Sequence, residues 1–144
     1  MNVPGLRSAY DQVGGIHHFG RMLDKIRLHA AGQLPEDYRP NLGEGFDGGV
    51  CRFLGVKYDE LVARVNQGGT DDEVLAWCFA RGRVPTELEI TLLNEYLRKR
   101  GWNDVASERL AERVKQLAPE WAGKIHTFFD LIEVDEGRPP RAKV

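Results

Sequence analysis

Cysteine is scarce in this chain: of 144 residues only Cys51 and Cys78 carry a thiol, with no CxxC spacing and no further partners. That count excludes a disulfide framework and the paired-cysteine zinc and redox motifs. Both thiols read as reduced core residues of an intracellular protein. Long apolar runs are missing as well. Nothing approaches the about 20 residues of a membrane-spanning helix, and Met1–Ser8 lacks the apolar core of a secretory signal. The expected setting is the cytoplasm, without a membrane. Nor is there an excess of positive charge, since 20 Lys and Arg stand against 22 Asp and Glu for a net charge of -2. That balance argues against general affinity for nucleic acid or acidic lipid. Finally, no segment alternates β-branched with polar residues, and no internal repeat or low-complexity tract is visible.

What is present is helical periodicity. Hydrophobic residues make up 42% and charged residues 29% of the chain, the balance of an ordinary globular domain. Residues 1–137 read as a single helical domain, and residues 138–144 as a flexible basic tail. The first fifteen residues, with Pro4, Gly5, Gly14 and Gly15, form an extended arm ending in a Gly-Gly hinge. A helix follows in which Ile16, Phe19, Met22, Leu23, Ile26 and Ala30 share one arc, with Gly32 as its left-handed stop. From Gln33 to Gly49 the chain is irregular, rich in Pro and Gly, with Leu34, Tyr38, Leu42 and Phe46 as anchors. Loops this long are usually functional or disordered, and the anchors favour one laid across the core. A short helix starts at Asp47, whose carboxylate can cap it, and stops at Gly55.

Helices then come in quick succession. Tyr58–Gln67 is one, and Thr70 with Glu73 and Thr86 with Glu89 are capping-box patterns opening the next two. Asn103 or Asp104 caps another, ended by Pro119, and a last helix sets Trp121, Ile125, Phe128 and Ile132 in one stripe. The expected fold is all-α, an irregular bundle of six or seven helices with one long Pro/Gly-rich loop after the first long helix.

The first helix carries a second stripe, His17, Gly20, Asp24, Arg27 and Ala31. Ionic groups between small residues mark a face that another element, or a ligand, approaches closely. Asp24 and Arg27 are neighbours at i, i+3, and Arg52 could converge with them from the helix after the glycine loop. A guanidinium held by a carboxylate is a prepared clamp for a carboxylate or phosphate. The alternative is a structural ion pair fastening the loop to the helix. His29 joins the set as a proton donor, so the candidate ligand-binding residues are Asp24, Arg27, His29 and Arg52.

The remaining motifs carry less. Gly43-x-Gly45-x-x-Gly48 matches the dinucleotide fingerprint in letters, but no strand precedes it and Asp47 would meet the phosphates, so these are turn glycines. The histidines lack metal-ligand spacing and read as surface or capping residues, so no metal and no cofactor is expected. Arg98–Trp102 mixes cations with an aromatic, yet cations are ordinary in the last turn of a helix. Cys51, near the start of a short helix, is a candidate nucleophile or, more simply, a packed thiol.

Several stretches together resemble a known bacterial family. Arg21–Gly32, Gly45–Gly48, Cys51–Val56, Glu73–Phe79, Lys99–Trp102, Ser107–Leu110 and Thr127–Asp130 match in order the motifs of domain of unknown function 5069. The resemblance runs from about Leu6 to Arg138 and implies a small bacterial cytosolic protein; it brings no activity, substrate or catalytic assignment. Two positions depart from the family pattern. His17-His18 stands where the family is more often aliphatic and aromatic, and Lys57 where Thr or Asp would cap a helix.

The expected function is binding of an anionic small molecule or of a protein partner, a second copy of the chain included. The alternative is a small enzyme using Asp24, His29 or Cys51 for acid–base or thiol chemistry.

Overall fold

The computed structural model describes residues 1–142. Seven α-helices and one two-stranded hairpin are present among them: β1 (Gln12–Val13), β2 (Ile16–His17), α1 (Phe19–Ala30), α2 (Phe46–Leu54), α3 (Tyr58–Asn66), α4 (Asp71–Arg81), α5 (Glu87–Lys99), α6 (Ser107–Leu117) and α7 (Phe128–Asp135). The fold is all-α, an irregular bundle, as the periodicity implies. Short 3-10 turns cover Glu36–Asn41 inside the Pro/Gly-rich loop and Pro119–Trp121 before α7.

The arm is not extended. Val3, Leu6, Ala9 and Val13 are buried, and the expected hinge is a hairpin turn in which Val13 pairs with Ile16. Gly14 and Gly15 both take positive φ, the mirror-image turn that matches strand twist and that residues with a Cβ resist. The hairpin delays α1: Ile16 belongs to a strand, and His18 precedes the helix in the left-handed region at φ 71°.

Local signals place most helix ends. Thr70 and Thr86 each accept a hydrogen bond from the backbone N–H three residues on, and Glu73 and Glu89 complete both capping boxes. Gly55 ends α2 in the left-handed conformation, while Lys57 supplies no side-chain cap to α3. Two expectations are corrected. Asp104 does not cap α6, which starts at Ser107; its carboxylate instead accepts from Gly101 N and Ala106 N. The last helical stripe is broken after Trp121 and resumes only at Phe128, where the Thr127 hydroxyl accepts from Asp130 N.

Two apolar cores result. The larger joins Phe19, Met22, Leu23 and Ile26 of α1 to Val50 and Leu54 of α2, Leu61 of α3, Val74 of α4, Leu97 of α5 and Phe129 of α7. The smaller joins Leu110 and Val114 of α6 to Ala118, Ile125 and Leu131. Helix α7 belongs to both, and a cleft opens beside it. After Gly137 the chain folds back rather than leaving the body. Arg138 pairs with Glu133 and Glu136, and Arg141 with Glu133. Lys143, the last cation of the expected tail, lies outside the described residues.

Candidate functional site

The ionic stripe of α1 is approached closely, and the element that approaches is the N-terminal arm. Arg7 donates to Asp24 from Nε at 2.8 Å, from Nη2 at 3.0 Å and from its backbone N–H at 2.9 Å. Its Nη1 reaches Asp71 at 2.7 Å and its Nη2 the Gly20 carbonyl at 3.0 Å. Gly20 is small for that reason: a Cβ there would stand 2.8 Å from the Arg7 guanidinium carbon. Arg27 donates to the other oxygen of Asp71 at 2.7 Å and lies 3.9 Å from Asp24. The pair therefore fastens the arm and the start of α4 to α1, not the Pro/Gly loop. His29 is exposed in the last turn of α1, and Arg52 is exposed on α2. Asp24 and Arg27 are brought together; His29 and Arg52 do not join them.

The Pro/Gly loop meets a different part of the helix. It forms one wall of a cleft of about 740 Å³ whose other walls are α1, α5, α6 and α7, and none of the four sequence-nominated residues lines it. The volume is that of a small-molecule site. Leu93 and Leu97 of α5, Leu117 of α6, and Phe128 and Ile132 of α7 supply apolar surface. Charge is divided within it. Helix α6 contributes Arg109 and Arg113, while Asp37, Glu44 and Asp135 come from the 3-10 turn, the loop after it and the end of α7. Arg109 packs its guanidinium over the Phe128 ring at 5.4 Å. Neither Arg109 nor Arg113 has a carboxylate partner among the described residues.

Where the loop meets α1, the cleft is bounded by paired groups. Asp47, fully buried, accepts from His18 Nε2 at 2.7 Å, Lys25 Nζ at 2.9 Å and Gly43 N at 3.1 Å. Burial works against its charge, but the His18 hydrogen bond and the Lys25 ammonium outweigh it, holding the carboxyl at about 2. Asp47 is thus no helix cap, the role its position suggests. His18 is neither a surface nor a capping histidine: it is 2% exposed and makes no capping bond. Burial, with help from the Lys25 and Arg21 charges, pushes its imidazole below the ordinary range against the pull of Asp47. Its Nδ1 is buried with no hydrogen-bond partner among the described residues. Alongside, Arg21 grips Glu136 through two bonds of 2.8 and 2.7 Å, and the Tyr38 hydroxyl donates to the same carboxylate at 2.7 Å.

Cys51 is packed, 3% exposed, with its Sγ 3.8 Å from the Met22 sulfur. Burial first, then the Asp47 charge, pushes the thiol up to about 12, so the nucleophilic thiolate is scarce near neutrality. No group of three or more His, Cys, Asp or Glu side chains converges as a metal site among the described residues. No helix among them is long and apolar enough to cross a membrane.

Sequence reasoning passed over His18, Asp47, Arg109 and Arg113 as a site. One signal for His18 was legible. Gly-Gly between Val13 and Ile16 is a hairpin pattern, and a hairpin there displaces His18 from the helix. The Arg109 and Arg113 spacing, one turn apart on α6, reads only as a solvated face without α7 beside it.

The molecule is thus an all-α protein with an amphipathic cleft rimmed by arginines. It belongs to the family described as domain of unknown function (DUF5069), whose model matches residues 3–138. No curated protein matches the chain.

Proposed function

We propose that the protein binds a small anionic molecule with an apolar body, held in the cleft beside α7 with its charged group on Arg109 and Arg113. The observation that carries this reading is the pair of arginines without carboxylate partners, one helical turn apart at the edge of an apolar-walled cleft. A guanidinium free to form two parallel bonds to a carboxylate or phosphate is the recognition element of choice for such groups. Leu93, Leu97, Phe128 and Ile132 would cover the apolar body. A cytosolic setting suits the two free, buried thiols. Asp24 and Arg27 are then structural, since each already holds an oppositely charged partner.

The test uses anilinonaphthalene sulfonate, an aromatic anion whose fluorescence rises on transfer from water. It is expected to bind the native protein, and Arg109→Ala with Arg113→Ala is expected to weaken that binding by at least about tenfold, the loss of one charged hydrogen bond. Circular dichroism checks that the variant is folded. Arg27→Ala with Arg52→Ala is expected to change nothing. The opposite pattern would put the anion where the sequence alone points and overturn the cleft.

A further inference from the structure

We propose that the protein forms a two-fold homodimer by packing helix α5 antiparallel against α5 of a second copy. Nothing in this rests on anion binding in the cleft.

A helix on the surface of a globular domain has one apolar stripe, turned to the core. Helix α5 has two. Ile90, Leu93 and Leu97 pack into the larger core. Leu88, Leu92 and Tyr96, spaced by four, run along another side, with Val84 just before the helix. These four residues are between 54% and 70% exposed, so no element of the described chain covers them. At roughly 200 Å² for a whole residue of this size, they offer about 500 Å² of surface, a patch large enough to be a site of interaction. Two such patches face to face bury about 1,000 Å² before the flanking polar side chains are counted, the lower bound of a specific protein–protein interface.

Charge selects the second copy and sets its direction. Glu87, in the first turn of α5, has no cation partner among the described residues. At the other end, Arg98 and Lys99 share a single carboxylate, that of Glu95. Each end of the helix therefore lacks what the other has in surplus. Eleven residues are three turns and about 20° more, so Glu87 and Arg98 leave the same side of α5. A two-fold axis across the helix near Leu92 keeps that side and exchanges the ends. Glu87 is then set against the end of the second helix that carries Arg98 and Lys99, and the contact occurs twice. A parallel pair would instead put Glu87 beside Glu87 and the cations beside cations. Antiparallel helix dipoles favour the same choice, and a two-fold dimer closes on itself.

Sedimentation equilibrium on the full chain tests this. The mass is expected to rise from one chain to two through the micromolar range, as suits an interface of modest size. Leu88→Glu with Leu92→Glu is expected to weaken association at least about hundredfold. Circular dichroism should be unchanged, because both leucines lie outside the two cores. Glu87→Lys, and separately Arg98→Glu with Lys99→Glu, should each weaken it about tenfold, since the two-fold repeats every contact. An equimolar mixture of these last two variants is expected to restore association, because each chain then meets opposite charge at both ends. A role for these residues within one chain would give no such rescue. A mass of one chain at every concentration overturns the dimer and leaves the stripe to a different protein. A dimer that survives Leu88→Glu with Leu92→Glu overturns the use of α5. A dimer no stronger in the mixture than in either charge variant overturns the antiparallel arrangement.

Discussion

Lys25 and Asp47 form a buried ion pair of 2.9 Å, the ammonium side chain 8% exposed and the carboxylate wholly covered. Removing either partner alone strands a charge. Asp47→Asn leaves the ammonium without a counter-ion and should cost about 3–5 kcal/mol, the range for breaking a buried pair. Lys25→Met is milder, at about 2–3 kcal/mol, because Asp47 keeps the His18 and Gly43 donors. Independent effects would sum to about 5–8 kcal/mol, enough to unfold a domain of ordinary stability. The double variant leaves neither charge behind and puts an apolar chain of similar length where Lys25 lay. It is expected to lose about 3 kcal/mol or less, a shortfall of at least about 2 kcal/mol from additivity. Urea titrations followed by tryptophan fluorescence at neutral pH give all four stabilities. If the double variant matches the sum of the singles within about 0.5 kcal/mol, the pair is not coupled and the account of this wall fails.

Two further outcomes are expected. Gly20→Ala should destabilise by about 1–3 kcal/mol in spite of alanine's better helix propensity, because the new methyl meets the Arg7 guanidinium; the penalty should vanish in an Arg7→Ala background, as read by thermal midpoints. Stability should also fall as pH drops below about 6.5, because the unfolded chain protonates residue 18 while the buried imidazole stays neutral. The slope is about 1.4 kcal/mol per pH unit until the folded-state group titrates, and His18→Asn should remove that component; equal slopes in the two proteins would refute it.

The features legible in the sequence are those whose cause is local. Thr70 and Glu73, or Thr86 and Glu89, meet within one turn, so their capping boxes follow from spacing. Gly55 ends α2 for the same reason, and the apolar arc of α1 follows from its period. Asp24 and Arg27 were legible as an ionic pair because they share a helix face. Their partners Arg7 and Asp71 were not, since one lies in an arm without periodicity and the other 44 residues beyond Arg27. His18 and Asp47 are 29 residues apart, and their meeting depends on a hairpin that turns residue 18 out of the helix. The same hairpin, once missed, made α1 start too early. The last helix failed differently: its apolar stripe continues through Trp121 and Ile125 although the backbone is broken, because residues packed on one core can share a face without sharing a helix.

Helix α7 is where the N-terminal arm and the segment after Gly137 meet. Ser8 donates to Glu133, Tyr10 donates to Asp130, and the Met1 amine donates to the Asp135 carbonyl, while Arg138 and Arg141 also donate to Glu133. Glu133 is fully buried, so it needs both arms at once. During synthesis the arm emerges before α7 and waits more than a hundred residues for it. The hairpin and α1 can form early, but this seam closes only when residues 130–141 have left the ribosome. Completion of the fold is therefore coupled to completion of that part of the chain, and the cleft beside α7 is among the last features to acquire its walls.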